Sequence, residues 1–239
     1  MTNREFGFRY DGEPVVSYVR DGAPEAPGEP LDEEMFVFVM GPYTAFDAEY
    51  AFEDADQLAS KFAEDPLFDP ERHRVDGEPS YEAVLDDLCE RLREEIGVRA
   101  FLATDVPIPT EHRAEPNEEG MSVLDQSVVF AAVSDAVVFV FTEGGLTTGV
   151  GSEVGSILGE FHLRRRNDEP VRKPPERFRV FESDGFGSAS IDEVPSTYGV
   201  DLVRFDSEEK LTDEVRQFLV GLRRNDPDRP LPVFNEYVD

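Results

Sequence analysis

Residues 134–156 read Ser134-Asp135-Ala136-Val137-Val138-Phe139-Val140-Phe141-Thr142-Glu143-Gly144-Gly145-Leu146-Thr147-Thr148-Gly149-Val150-Gly151-Ser152-Glu153-Val154-Gly155-Ser156. The apolar run Val137 to Phe141 does not alternate with polar residues, which marks a strand covered on both faces, as in a parallel sheet. It breaks into glycine, threonine and glutamate. Hydrophobicity then resumes at Val150, Val154, Ile157, Leu158 and Phe161, a helical spacing that predicts a helix from about Gly149 to Arg165. A strand, a small-residue loop and a helix therefore follow one another.

The same alternation extends outward in both directions. Upstream, Phe36-Val37-Phe38-Val39-Met40 is a second unalternating run, ending at Gly41-Pro42. A helical segment from about Asp47 to Glu64 and a turn-rich stretch from Asp65 to Pro79 follow, together a lid-like helical insertion at about 44–79. Ser80 is placed to cap a helix carrying Val84, Leu85, Leu88, Cys89 and Leu92 on one face, stopped by Gly97. Val98 to Thr104 reads as a strand, Asp105 to Gly120 as a polar loop and Met121 to Val133 as a helix. Downstream, Phe178–Phe181 and Leu202–Phe205 read as strands, and Ser207 to Arg223 as an amphipathic helix. The first 34 residues form an extension: Phe6–Tyr10 and Val15–Val19 predict a hairpin around Asp11-Gly12-Glu13-Pro14, followed by a Pro, Gly and acid-rich linker. Residues 35–239 then form a single α/β domain, a three-layer, doubly wound parallel sheet of the flavodoxin or Rossmann-like kind. Ligands of such sheets sit beyond the carboxyl ends of the strands.

Composition narrows the function classes. The chain has 53 acidic and 23 basic residues in 239, a net charge of −30. Such a field repels phosphate backbones and argues against general nucleic-acid binding. Lysine occurs only at 61, 173 and 210, and this acid-rich, lysine-poor balance resembles that of proteins from salt-in haloarchaea. The single cysteine, Cys89, cannot form an internal bridge and reads as core. With no signal-like opening and no sufficiently long apolar run, the expected setting is cytoplasmic, with no membrane partner. His73, His112 and His162 lack ligand spacing, so no metal is expected. The glycine loop lacks the Gly-Lys-Ser/Thr ending of a P-loop, and no Gly-x-Gly-x-x-Gly follows the first strand, so no cofactor is expected.

The loop after Phe141 carries the functional expectation. Small residues allow close approach of a ligand, and the N–H groups opening a helix can hold an anion. Glu153 falls in the first turns, at the edge of the apolar stripe. Two readings stand: a partly desolvated carboxylate suited to nucleophilic or acid/base work, or a charge complementing the helix dipole. Gly151, Gly155 and Gly159 form a bare stripe that suits a close contact, within the chain or between copies of a homo-oligomer. Seven basic residues between 164 and 179, against three acids, make that segment locally +4 and suited to an acidic neighbour or a phosphate.

Phe36 to Tyr43, with its Gly41-Pro42-aromatic turn, resembles the opening of the nucleoside 2-deoxyribosyltransferase family. Asp125, Ser134-Asp135 before an apolar strand, and Gly149-x-x-x-Glu153-Val154-Gly155 follow in that family's order over residues 35–165. TIR-like nucleotide-binding folds share the strand, glycine loop and helix-borne glutamate. The resemblance implies a nucleoside or nucleotide ligand and Glu153 beside the anomeric carbon of a cleaved N-glycosidic bond. Taken with the positions that the carboxyl ends of the strands mark out, the expected ligand contacts are Gly41, Pro42, Tyr43, Asp47, Asp105, Asp125, Thr148, Gly149 and Gly151. The transferase pattern has aspartate six residues before the glutamate and threonine three before it. Here those positions hold Thr147 and Val150, so protonation of the leaving base falls to another group, among them Asp105, Asp47 and Glu143. A hydrolase or a non-catalytic nucleotide sensor on the same scaffold is the alternative.

Overall fold

The computed structural model describes residues 8–27, 35–41, 62–63, 65–116, 119–143, 150–166 and 173–225, the side chains of 150–153 and 163–166 excepted. It opens with a two-residue-per-strand hairpin, β1 (Arg9–Tyr10) and β2 (Glu13–Pro14), paired antiparallel across Asp11 and Gly12. Both turn residues have positive φ, +47° and +81°, as a two-residue primed turn requires. The hairpin is shorter than the sequence predicted. Val15 to Val19, expected as its second strand, is instead the start of helix α1 (Val15–Gly22). The reason is the inward set: Val15, Val16 and Val19 are all buried, a spacing that a helix presents to one side and an alternating strand splits between two.

The elements that follow are β3 (Phe36–Met40), the small hairpin β4 (Arg74–Val75) and β5 (Glu78–Pro79), and α2 (Tyr81–Ile96). Next come β6 (Arg99–Phe101), α3 (Val123–Val133), β7 (Ala136–Phe141) and α4 (Val150–Arg166). The chain then forms β8 (Phe178–Ser183), the short helices α5 (Ala189–Asp192) and α6 (Val194–Tyr198), β9 (Leu202–Phe205) and α7 (Glu208–Asn225). Caps expected from the sequence are in place. Ser80 accepts from the Ala83 N–H at 3.2 Å, and Gly97 ends α2 in the left-handed conformation at φ +74°. The strand expected over Val98–Thr104 is shorter, because Ala103–Asp105 turns into a 3₁₀ helix.

Five strands form one parallel sheet in the order β6-β3-β7-β8-β9. Two cores lie on its faces. Phe36, Phe38, Val137, Phe139, Phe141, Phe178 and Val180 pack against α1, α3 and α4. Val37, Val39, Ala136, Val138, Val140 and Phe181 pack against α2 and α7. This is a three-layer α/β architecture, and the alternation of the two core sets along each strand explains why the runs look uniformly apolar in sequence. Cys89 is fully buried in the second core, and burial pushes its thiol well up, away from reactivity.

Two central strands are pinned at their amino ends. The Asp135 carboxylate accepts the Phe36 N–H at 2.9 Å, across 99 residues of sequence, and the Asp135 N–H donates to the Phe36 carbonyl at 2.8 Å. Lys173 and Arg177 complete this corner. The lysine donates to the Ser134 carbonyl and the arginine to the Asp135 carbonyl. Thus part of the basic segment faces inward, since Lys173 has no exposed surface and Arg177 is buried, while Arg179 pairs with Asp201 and lies over the Phe218 ring.

Candidate functional site

The strand order reverses direction between β3 and β7. The chain goes from β3 to its neighbour β6 on one side, then crosses back to β7 on the other, so connections leave the two central strands in opposite directions. In sheets of this kind such a divergence is where a crevice opens at the carboxyl ends; here Gly41 follows β3 and Thr142 and Glu143 follow β7. Helix α4 begins eight residues after Thr142 and runs back along the first core, so its amino end, with Glu153 in the first turn, belongs to this end of the sheet.

At the carboxyl end of β7 lies a buried polar cluster. Thr142 is fully buried on the α2 face, and its hydroxyl donates to the carboxylate of Asp65. The same hydroxyl shares a 2.8 Å hydrogen bond with the Tyr81 hydroxyl at the first position of α2. Asp65 and Tyr81 are themselves buried, and the other Asp65 oxygen accepts the Leu67 N–H at 2.9 Å. Burial, reinforced by the Asp65 charge, pushes the Tyr81 hydroxyl well above its ordinary value and keeps it protonated. Gly41 closes the cluster from below. A Cβ there would stand 2.6 Å from Leu85 and 3.1 Å from Tyr81, so its smallness lets α2 approach β3.

On the opposite sheet face, the next strand supplies a second carboxylate. Glu182 is cross-strand to Phe141 and fully buried. One oxygen meets Arg204 at 3.5 Å, and Oε1 has no hydrogen-bond partner. Burial raises its carboxyl above the usual range, with Arg204 opposing. Its neighbour Ser183, paired in register with Phe205 of β9, is buried, and its hydroxyl has no hydrogen-bond partner among the described residues. The carboxyl edge of β7 and β8 thus gathers Asp65, Thr142, Tyr81, Glu182 and Ser183.

The sequence-expected residues are placed as follows. Gly41 is at the crevice. Glu153 and Gly151 lie in the first turn of α4, which starts at Val150 rather than Gly149. Pro42, Tyr43, Asp47, Thr148 and Gly149 lie outside the described residues. Asp105 sits one strand away, beyond the edge strand β6, where its carboxylate accepts the Leu102 N–H at 2.8 Å and burial raises it. Its loop is held under α1, for a Cβ on Gly22 would stand 2.4 Å from the Asp105 carbonyl oxygen. Asp125 is exposed in the first turn of α3, receiving the Ser122 hydroxyl at 2.6 Å. Both aspartates therefore serve local caps. Along the glycine stripe, a Cβ on Gly155 would come no nearer than 3.9 Å to the Tyr198 hydroxyl, and one on Gly159 would meet nothing.

The signals for the missed residues were faint. Thr142 is the first polar residue after an apolar run, and Glu182 is the acid that directly follows the apolar pair Val180-Phe181. Asp65 had no such mark, since only folding brings it across 77 residues to Thr142. Among the described residues, no group of three histidine, cysteine or acidic side chains is arranged to hold a metal ion, and no helix is long and apolar enough to cross a membrane.

Residues 23–235 match the model of one family, a domain of unknown function, DUF7509. No curated protein and no solved structure matches the chain.

Proposed function

The chain belongs to the DUF7509 family, and for it we propose binding of a nucleoside or nucleotide in the β3/β7 crevice, with Glu153 acting on the N-glycosidic bond. The observation that carries this reading is the sheet order, in which β3 and β7 are the neighbours whose connections diverge, together with the start of α4, the helix that bears Glu153, eight residues after Thr142. The buried Asp65–Thr142–Tyr81 cluster supports it, because fixed polar groups at the carboxyl end of a central strand help to orient a ligand there.

In this reading the bond from the anomeric carbon to the base nitrogen breaks with its electron pair going to the base. Glu153 stabilises the cationic sugar, or attacks it, and water or a second base completes the transfer. The base nitrogen must receive a proton. Glu182 suits that task better than Asp105, for it lies at the same end of β8, on the sheet face that α4 covers, with a raised carboxyl and an unpartnered oxygen.

A second reading, binding without catalysis, is favoured by Thr147 and Val150 standing where the transferase pattern has aspartate and threonine. One experiment separates the two. Deoxynucleosides, nucleotides and NAD are incubated with the folded chain in molar potassium chloride, with and without a free acceptor base, and the products are resolved by chromatography. Base release by the parent and not by Glu153→Gln supports glycosidic chemistry, and base exchange identifies a transferase. No turnover together with ligand-induced stabilisation, about 2.7 kcal/mol at a hundredfold excess over Kd, supports the sensor. Neither turnover nor stabilisation overturns the nucleoside reading.

A further inference from the structure

The central sheet ends at β9, which has β8 on one side and, among the described residues, no strand on the other. The Asp201 and Phe205 carbonyls accept from the N–H groups of Val180 and Asp184 at 3.1 and 2.7 Å, so the odd-numbered residues of β9 turn their peptide groups toward β8. Those of Leu202 and Arg204 face outward, and neither has a backbone partner among the described residues. Nothing in the strand blunts this edge. Residues 201–205 contain no proline or lysine, the register with β8 runs without a bulge, and the one basic side chain, Arg204, is drawn back to Glu182 at 3.5 Å and Asp192 at 3.1 Å. Leu202 and Val203 are only half-buried, the first packed on one core and the second on the other.

Handedness argues against the end of the chain as the cover. Helices α3, α4, α5 and α6 lie on the first core and carry the chain from β6 to β7, β8 and β9, toward the free edge, whereas α2 lies on the second core and carries it the other way, from β3 to β6. Helix α7 shares the face of α2. A parallel strand formed after it would therefore be delivered to the side of β9 that β8 already occupies. Charge permits a second copy instead. Residues 199–205 hold one acid and one base, and the acid, Asp201, is paired with Arg179 at 3.1 Å, so this strip is locally neutral in a chain of net charge −30.

We propose that the outer edge of β9 is a self-association surface, where a second copy of this chain pairs antiparallel about a two-fold axis that passes through Val203 perpendicular to the sheet. In this register Leu202 lies opposite the partner's Arg204, and Arg204 opposite the partner's Leu202, so the outward N–H and C=O groups of each strand meet their complements. Side chains keep their faces. The stem of the partner's Arg204 covers Leu202 on the α4 side, and Val203 meets the partner's Val203 on the α7 side. Two five-stranded sheets become one. An interface carried by so short a strand is weak, forming at high concentration and parting on dilution.

The full chain is examined by sedimentation in molar potassium chloride at about 0.1 mM, a concentration that populates weak complexes. The expected result is a dimer that dissociates on dilution and is lost in Leu202→Pro, since proline there removes an outward N–H and no bond to β8. Should that variant fail to fold, Val203→Cys decides. Across the axis the two Cα atoms stand about 4.5 Å apart, within reach of a disulfide, and the native Cys89 is buried. Oxidative cross-linking is expected to run about tenfold faster than in Val75→Cys, an exposed control on the separate β4–β5 hairpin. A monomer at that concentration, a dimer that Leu202→Pro leaves intact, or cross-linking no faster than the control overturns the proposal. So does slow amide exchange at Leu202 and Arg204 in dilute monomeric protein, which would mean that another part of the same chain covers the edge.

Discussion

Thr142 links three buried oxygens at the carboxyl edge of the sheet, and its neighbours depend on it unequally. Asp65 is a carboxylate, so losing the Thr142 hydroxyl leaves charge less well matched, while Tyr81 loses a neutral contact. Thr142→Val is therefore expected to destabilise the fold by about 1–3 kcal/mol and Tyr81→Phe by roughly 1 kcal/mol or less, measured by denaturant unfolding; the reverse order would show that Asp65 does not rely on Thr142. Lys173 gives a pH dependence of definite sign. Unfolded, the amine holds its proton to about 10.5; folded, it releases it near 7. Between those values the unfolded chain binds more protons, so stability rises with pH, and below 7 both states are protonated and the buried charge weakens the fold by a constant amount. Relative to Lys173→Met, the parent is expected to gain at most about 1.4 kcal/mol per pH unit above pH 7 and nothing below it. A flat difference between the two across that range would mean the lysine keeps its proton when folded. Such residues were poorly legible in sequence. Lysine rarity pointed to Lys173 only as part of a basic segment, and nothing in the order of residues says which charged side chain turns inward.

At the scale of elements the sequence was far more legible, because periodicity and caps are local. The unalternating runs at Phe36–Met40 and Val137–Phe141 are the central strands, and Ser80 and Gly97 bound α2. Val15 to Val19 misled for a physical reason: β-branched residues favour strands in isolation, but packing α1 against the first core decides otherwise. Asp105 and Asp125 illustrate the limit for the site, since the order of residues marks them as acids near strand ends and does not show that each carboxylate accepts a local hydrogen bond, from the Leu102 N–H and the Ser122 hydroxyl. The glycine stripe of α4 offers a test at this scale. A methyl group at Gly159 meets nothing within 4 Å among the described residues, so Gly159→Ala is expected to stabilise the monomer by about 0.5–1 kcal/mol through the backbone entropy of glycine. A loss of stability at high concentration that disappears on dilution would instead place that face against another copy.

For the molecule as a whole, charge and topology dominate. A net −30 on 239 residues is self-repulsive in dilute buffer, and molar salt shortens the screening length to about 3 Å. Raising potassium chloride from dilute buffer to molar concentration is expected to add about 2 kcal/mol of stability, a shift of roughly 4–8 °C in the thermal midpoint. A midpoint indifferent to salt would show that the acidic side chains are spaced well enough to tolerate one another. The place where the sheet diverges follows from strand order, and that order was beyond the sequence, which announces strands but not which neighbours they take.

The bond between Asp135 and Phe36 also has a temporal meaning. β3 is the second strand of the sheet, yet one of its two neighbours lies about a hundred residues further along the chain. During synthesis the ribbon Phe36–Met40 emerges first and pairs with β6 under α2, while its other flank waits for β7 to leave the ribosome. The nascent chain thus carries an open, wholly apolar strand edge for several seconds at ordinary translation speeds, the interval in which a chaperone or a neighbouring nascent chain would meet it.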